Sequence, residues 1–356
     1  PLSVGVAAAL TSLSFSPSAQ AQSTRSATLA PVVITASRTE QALPDALLST
    51  KVISREQIEQ SQAPDLPALL RGYTSIEVAN SLNNLGAYHK ARGNYAKSAL
   101  LHKRALDLRE RALSPTHPDV AMSLGNLAEL YRAQGLFPAA EPLQARALAI
   151  REKALAADHP DVAASLGDQC ELLREQGRYA QAEKLCLRAM DIRERTLGAG
   201  HPDVALSLLA TAELYRSQYR FSAAEPLYRR ALEIREQRLG RTHPEVASAL
   251  TRLAALYADQ RQYALAERTL QRAVIIREER LGRDHPDLGY TLTNLGDIER
   301  LLGQHAAAER DLRRAVAVWE RAIGADNPLL VHPLSGLAEL ALDPAAEPAA
   351  LAERKL

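Results

Sequence analysis

Large aromatic side chains and net charge are scarce in this sequence. Of its 356 residues only 4% are aromatic, although 46% are hydrophobic, mostly Ala and Leu. The formal net charge is +1, from 43 basic and 42 acidic residues. This balance argues against nonspecific binding to nucleic acid or to a membrane surface, because both need a concentrated basic face. No segment approaches the ~20 apolar residues of a membrane-spanning helix, so we expect a helix-rich chain that does not span a membrane.

Sequence motifs of catalytic sites are also missing. No serine lies in a nucleophile-elbow context, there is no Gly-rich phosphate loop, and neither Cys170 nor Cys186 has a Cys-x-x-Cys neighbour. We therefore predict that the protein is not an enzyme and that it uses no cofactor.

A short phrase beginning with histidine recurs along the chain. It reads HPDVA at His117, His159 and His201, then HPEVA at His243 and HPDLG at His285, so successive histidines are 42 positions apart. The residues between them repeat as well, so the chain is an array of repeats.

Each repeat is predicted to be a helical hairpin. In the unit that follows His117, apolar residues recur at helical spacing in two stripes, one on each side of Gly135. Their spacing indicates a helix of roughly 18 residues, a turn at Gly135 and a second helix of roughly 20 residues. The two stripes are Leu124, Leu127, Ala128 and Tyr131, then Phe137, Ala140, Leu143, Ala147 and Ile150.

The recurring histidine has a local structural explanation. Pro118 suits the first position of a helix, and Asp119 adds negative charge to its first turn. His117 then lies at or near the N-cap. Packed helices are separated by about 10 Å, so histidines of adjacent repeats lie too far apart to share a metal with ligand distances near 2.0 Å. We therefore predict that these histidines mark helix starts and bind no metal.

The first residues have the pattern of a secretory signal. An apolar stretch runs through Leu10, small polar residues follow, and Ala19-Gln20-Ala21 is an A-x-A cleavage pattern. We expect residues 1–21 to be a signal peptide and the mature protein to be exported to the periplasm or the cell envelope.

The repeats resemble tetratricopeptide repeats of the kinesin-light-chain type. The phrases that carry the resemblance include SLGNLAELYRAQG, AAEPLYRRALEIRE and LGRTHPEVA, and it covers residues 76–342. It implies an all-α solenoid, a right-handed superhelix of hairpins, with six repeats over residues 76–327. A shortened capping repeat is expected at 328–356, and the first repeat has Ser75-Ile76 in place of His-Pro.

Residues 29–72 resemble a different family, the N-terminal plug of TonB-dependent outer-membrane receptors. PVVITASR is similar to the TonB-box region, and VISREQIEQ with LPALLRG is similar to the first part of the plug. We expect short strands at 31–35 and 50–53 within a mostly irregular segment, 22–72. Two alternatives remain open: the segment engages TonB in a receptor-related protein, or the chain is a gene-fusion or misassembly product.

The tetratricopeptide resemblance also implies where a partner binds. In that family one face of the first helices lines a groove for protein or peptide segments, and a basic row on that face (Lys90, Arg132, Arg174, Arg216, Arg300) would favour an acidic segment. The alternative is that neighbours such as Glu129 and Arg132 form i,i+3 ion pairs on a solvated face. The predicted groove residues are Asn83, Asn84, Lys90, Asn126, Glu129, Arg132, Asp168, Arg174, Leu209, Glu213, Arg216, Arg252, Asn294 and Arg300.

Two further features have open interpretations. Cys170 and Cys186 fall on facing helices of one hairpin, so export would allow a disulfide. Two buried thiols are favoured, because neighbouring repeats place Ala128 with Gln144, and Ala212 with Tyr228, at these positions without a crosslink.

Trp319 is expected to pack rather than to anchor a partner. It stands where the other repeats have Arg109, Arg151, Arg193, Arg235 and Arg277.

Overall fold

The computed structural model describes residues 32–34, 51–53 and 66–342 except residue 326, with side chains described from Ser75 onward. The predicted signal peptide (residues 1–21), most of the plug-like segment and the end of the capping repeat lie outside the described residues. Two short antiparallel strands, β1 (Val32–Ile34) and β2 (Lys51–Ile53), pair with Val33 opposite Val52. They fall within the two segments predicted as strands.

Thirteen α-helices account for most of the described residues, and they confirm the all-α hairpin architecture. Their bounds are α1 Leu66–Ala91, α2 Tyr95–Ala112, α3 Pro118–Ala133, α4 Phe137–Ala154, α5 Pro160–Glu175, α6 Tyr179–Leu197, α7 Pro202–Ser217, α8 Phe221–Leu239, α9 Pro244–Asp259, α10 Tyr263–Leu281, α11 Pro286–Leu301, α12 His305–Ile323 and α13 Val331–Leu342.

The recurring histidines cap the first helices of the repeats, as predicted. In all five, the imidazole Nδ1 accepts a hydrogen bond from the backbone N–H two residues later, at 3.1–3.3 Å. This bond satisfies one of the amides that the first turn of a helix leaves without a partner. Asn327 does the same through Oδ1, which accepts from Leu329 N at 3.0 Å. Histidine and asparagine are thus interchangeable at this position of the repeat.

The hairpin turn follows each first helix. Gly135 has a φ of 70°, a left-handed conformation that glycine adopts at little cost. Tyr219 and Arg261 take the equivalent place in their repeats with φ of 58° and 60°. The turn is therefore imposed by the packing of the two helices and does not need glycine at every repeat.

Stacked hairpins bury apolar residues at the same positions of successive repeats. Each first helix packs against the second helix of its own hairpin and against that of the preceding one, and neighbouring first helices also contact each other. Leu124, Leu166 and Leu208, at one position of successive repeats, are fully buried. The consecutive first helices α3, α5, α7, α9 and α11 thereby form one face of the stack.

The join between the two sequence families differs from the expectation. We predicted a mostly irregular segment up to residue 72 and repeats from residue 76, but α1 runs without interruption from Leu66 to Ala91. Ser75-Ile76 lacks the His-Pro pair that starts the other first helices, so no proline restricts the backbone there.

Trp319 packs in the interior, as predicted. It is 3% exposed, and its indole N–H donates to the Pro286 carbonyl at 2.8 Å. The ring lies directly over Gly289, where a Cβ atom would be 2.6 Å from Nε1. Earlier repeats have alanine in place of this glycine, so the indole and the missing methyl group form a matched pair. Beyond α12, a 3-10 turn (Pro328–Leu330) leads into α13.

Candidate functional site

Three adjacent cavities lie along the face formed by the first helices, and we call them together the groove. The N-terminal cavity, of about 270 Å³, lies between α3 and α5; the middle cavity, of about 490 Å³, between α5, α7 and α9; and the C-terminal cavity, of about 380 Å³, mainly between α7, α9 and α11. Helix α5 contributes side chains to all three.

Most of the predicted groove residues line these cavities. They are Asn126, Glu129, Arg132 and Asp168 in the N-terminal cavity, Asp168, Leu209 and Arg252 in the middle cavity, and Arg174, Glu213, Arg216, Arg252 and Asn294 in the C-terminal cavity. Asn84 is exposed on α1 but lines none of the three, and neither do Lys90 and Arg300. The groove that the sequence predicted therefore starts one repeat later.

Asn83 was wrongly assigned to the groove. It is 5% exposed, its amide donates to Ser123 Oγ at 3.3 Å, and its Oδ1 lies 2.9 Å from His102 Nδ1. Asn83 is thus one of the polar groups that join α1 to the two following helices. Adjacent residues of an α-helix point about 100° apart, so Asn83 faces the neighbouring helices while Asn84, one position later, is exposed.

The basic row is not an open strip of positive charge. Arg132 pairs with Glu171 at 3.4 Å and with Glu175 at 2.5 Å, which belong to the next repeat. The same arrangement links Lys90 to Glu129, Arg216 to Asp259 at 2.7 Å and Arg300 to Glu339 at 2.9 Å. Of the i,i+3 pairs considered as the alternative, Arg216–Glu213 forms, at 3.0 Å. An acidic partner could therefore meet only Arg174 of this row, whose ion pair with Glu175 is 3.2 Å long, and would otherwise need other cations.

One set of other cations is a row of arginines from the second helices, which appeared in the sequence analysis only as a comparison for Trp319. Arg109, Arg193 and Arg277 are at most 9% exposed. The guanidinium of Arg193 donates to Ser207 Oγ at 2.6 Å, and the equivalent arginines bond to Ser123, Ser165 and Thr291. The sequence pattern that identifies this row is an arginine followed by a hydroxyl residue 14 positions later.

Arg235 lacks the hydroxyl partner that the other arginines of the row have. Its repeat has Ala249 where the others have Ser or Thr, and Arg235 pairs instead with the Glu245 carboxylate at 2.8 Å. Arg193 and Arg277 have no carboxylate at hydrogen-bond distance among the described residues. Burial lowers the pKa of both guanidinium groups, yet arginine stays protonated in proteins. Arg193 and Arg277 therefore bring buried positive charge to the groove, and a buried charge is unfavourable without a counterion.

Asp168 is the corresponding acidic feature. Its side chain faces solvent in the groove, and the groove walls reduce its hydration. This desolvation, followed by the nearby charge of Glu171, raises the pKa of Asp168 to about 6. No ion pair or side-chain hydrogen bond holds this carboxylate within the described part of the chain.

Cys170 and Cys186 form a disulfide, with their Cα atoms 5.5 Å apart. The preference for two free thiols is therefore wrong. The neighbouring repeats allow close approach at this position with other residue pairs, so their lack of a crosslink did not bear on whether two cysteines would pair. The bond joins α6 to α5, the helix that lines every cavity of the groove.

The described residues include no group of three or more His, Cys, Asp or Glu side chains placed to hold a metal ion. None of the helices in this part of the chain combines the length and the hydropathy needed to cross a membrane.

Comparisons with known proteins agree with this architecture. The chain is 23% identical to BtubC (BKLC) from P. vanneervenii, with a TM-score of 0.50 over 74% of this chain and 95% of that one. A Rap protein complexed with competence and sporulation factor is 17% identical, with a TM-score of 0.52 over 80% of this chain and 79% of the Rap protein. These likenesses show the fold alone.

A separate similarity concerns a short part of the chain. Eighty residues, 22% of this chain, are 35% identical to the vitamin B12 transporter BtuB of Vibrio cholerae, and they span 12% of that transporter's length.

The family comparison covers most of the sequence. The model described as tetratricopeptide repeat matches residues 77–153, 124–179, 161–237, 245–320 and 291–352. The period, the capped hairpins and these matches agree, and the chain belongs to the tetratricopeptide repeat family.

Proposed function

We propose that the protein is a non-enzymatic scaffold that holds an extended peptide segment of a partner protein in the groove. The observation that carries the proposal is the continuity of the three cavities along successive first helices. Concave sites with a few converging polar groups are the usual form of a binding site, and here each repeat adds such groups at the same positions.

Gly167 offers a direct test of this function. It lines the middle cavity, and a Cβ atom at this position would meet nothing within 4 Å. Gly167→Trp should therefore fill the cavity without disturbing the fold. We expect peptides selected from a random library against the full chain to bind this variant at least tenfold more weakly, a loss of ~1.4 kcal/mol or more, as measured by fluorescence anisotropy.

The matched control is Leu187→Trp, which adds the same side chain at an exposed position of α6 outside the groove. Binding by this variant should equal that of the wild type, and circular dichroism should show both variants fully helical. Unchanged affinity in Gly167→Trp would place the peptide site outside the groove.

We further propose that this scaffold works outside the cytoplasm. The A-x-A pattern at residues 19–21 supports export, and the Cys170–Cys186 disulfide is of the kind that persists in oxidising compartments. The mature protein recovered from the periplasm of an expressing bacterium should have a mass that corresponds to a start at Gln22.

The alternative function is a receptor-related protein whose N-terminal segment engages TonB. It is favoured by the 35% identity to a vitamin B12 transporter over 80 residues and by the PVVITASR phrase. The same periplasmic preparation distinguishes the two functions. Retention on immobilised TonB that is lost on deletion of residues 31–38 would support the alternative, and retention that survives this deletion would oppose it.

A further inference from the structure

We propose that the groove selects a charge-segregated peptide, with acidic residues over the C-terminal cavity and basic residues over the N-terminal cavity. This inference rests on the proposed peptide-binding function and specifies the chemistry of its ligand. The two outer cavities leave charges of opposite sign uncompensated.

The C-terminal cavity has an excess of positive charge. Its lining includes four guanidinium groups, from Arg174, Arg216, Arg252 and Arg277, and one carboxylate, from Glu213. Arg216 is neutralised by Glu213 and by Asp259. The other three arginines have weaker compensation.

Arg277 and Arg174 each have an unused donor. The Nε atoms of both are buried and have no hydrogen-bond partner within the described residues. Arg277 otherwise contacts only the hydroxyl groups of Thr291 and Ser248. Arg174 approaches Ser217 at 3.4 Å and Glu175 at 3.2 Å, which are long contacts. A buried guanidinium without a carboxylate partner is stabilised by any anion that reaches it.

Arg252 is the most accessible of these cations. Its side chain is 47% exposed, and it reaches Glu213 at only 3.4 Å. It lines both the middle and the C-terminal cavity. A peptide carboxylate could form a shorter, two-point contact with this side chain, since the guanidinium presents parallel N–H donors.

The N-terminal cavity has a smaller excess of the opposite sign, because its Glu129 is already paired with Lys90. Its carboxylates come from Glu129, Asp168 and Glu171, and its cations from Arg132 and Arg151. Arg132 is shared between Glu171 and Glu175. Arg151 donates to Ser165, which leaves Asp168 without an ion pair within the described chain. A lysine or arginine of a bound peptide would supply the missing partner.

The middle cavity separates the two outer cavities, and its own charges balance. Its lining has three carboxylates, from Asp168, Glu171 and Glu245, and three guanidinium groups, from Arg193, Arg235 and Arg252. Leu206, which is 45% exposed, lies beside Ala164, Gly167 and Ala210 and leaves room for small or apolar side chains of a peptide. The outer cavities are roughly two repeats apart, and at about 10 Å between helices this is ~20–25 Å. An extended peptide covers that distance with about six or seven residues.

The test compares two synthetic peptides of identical composition. One has three basic residues, a seven-residue Ser/Ala/Leu spacer and three acidic residues; the other has the same residues with the charges alternating. We expect the charge-segregated peptide to bind the full chain roughly tenfold more tightly at low ionic strength. Equal affinities would overturn the proposal.

Two conservative variants assign the ends of the peptide. Arg252→Gln should weaken the segregated peptide severalfold but leave a peptide with Gln in place of its acidic residues unaffected. Asp168→Asn should weaken the segregated peptide severalfold but leave a peptide with Gln in place of its basic residues unaffected. The control is Arg313→Gln, since Arg313 is an exposed arginine of α12 outside the groove. If Arg252→Gln weakens both peptides equally, Arg252 does not recognise the acidic end, and the proposal is wrong.

This result can be distinguished from a failure of the groove function. If library-selected peptides bind in a manner that Gly167→Trp abolishes, yet the segregated and alternating peptides bind equally, the groove is a peptide site without charge segregation. If Gly167→Trp has no effect on any peptide, the groove function itself fails.

Discussion

Glu299→Gln should raise the free energy of unfolding at pH 8 by ~2–3 kcal/mol. Glu299 is 2% exposed between α11 and α12, close to Asp311, which is 6% exposed and ion-paired with Arg310 at 3.0 Å. Burial, and then the charge of Asp311, raises the pKa of Glu299 to about 7 from an ordinary value of 4.5. At pH 8 the folded chain must keep this carboxylate ionised in the interior, and glutamine removes that cost.

The sign of the pH dependence follows from the raised pKa. Between about pH 4.5 and pH 7 the unfolded chain releases this proton while the folded chain holds it, so the stability of the wild type falls as the pH rises through this range. Urea unfolding at several pH values should show a smaller decline for Glu299→Gln. The two proteins should have similar stability near pH 4, where glutamate is protonated in both states.

The neighbouring repeats provide a matched control. Tyr257 and Thr269 occupy the positions equivalent to Glu299 and Asp311 in the preceding repeat, and Tyr215 and Leu227 occupy them in the repeat before that. The double variant Glu299→Tyr/Asp311→Leu should therefore show the same smaller decline in stability as Glu299→Gln. A wild-type stability that does not change between pH 5 and pH 8 would show that Glu299 is ionised throughout.

Removing the Cys170–Cys186 disulfide should lower the free energy of unfolding by about 3 kcal/mol. The bond closes a loop with a sequence separation of 16 residues, and a crosslink of this span restricts the unfolded chain by about that amount. Thiol titration of the denatured, unreduced protein should find no free thiol. The unfolding midpoint in urea should decrease when a reducing agent is present.

Packing and crosslinking can be separated with two double variants. Cys170→Ala/Cys186→Ala removes the bond and also leaves a cavity, whereas Cys170→Ala/Cys186→Leu copies Ala254 and Leu270, the equivalent pair of a later repeat. Both should be insensitive to reducing agent, with the leucine variant the more stable of the two. If reduction destabilises the leucine variant as much as the wild type, the effect does not come from the disulfide.

The disulfide also bears on the groove. Because α5 contributes to all three cavities, loss of its crosslink to α6 should weaken binding of library-selected peptides if it loosens that helix. The leucine variant, which keeps the packing, is the suitable protein for this comparison.

The sequence by itself determined the repeat and the hairpin, and the family resemblance indicated the face that forms the groove. These features depend on local chemistry: an imidazole such as His117 capping the helix that follows it, proline at the first helical position, and apolar stripes at helical spacing. Each is decided within one repeat and then copied at a fixed interval. The interval also aligned Arg132, Arg174 and Arg216 in the prediction, and the structure places all three on the groove.

The tertiary structure alone decided which charges remain available. Arg132 is neutralised by Glu175, and Arg216 by Asp259, across a repeat boundary, whereas Arg277 is buried with only hydroxyl partners. The pairing of Cys170 with Cys186 and the burial of Asn83 were likewise not readable from the chain. A repeat period fixes which residues share a position, but the rotation of each helix and the reach of a long side chain into the next repeat arise from packing between hairpins. The basic row that the sequence offered is therefore largely a set of inter-repeat ion pairs, and the weakly compensated charge of the groove lies on Arg174 of that row and on Arg252 and Arg277 at other positions.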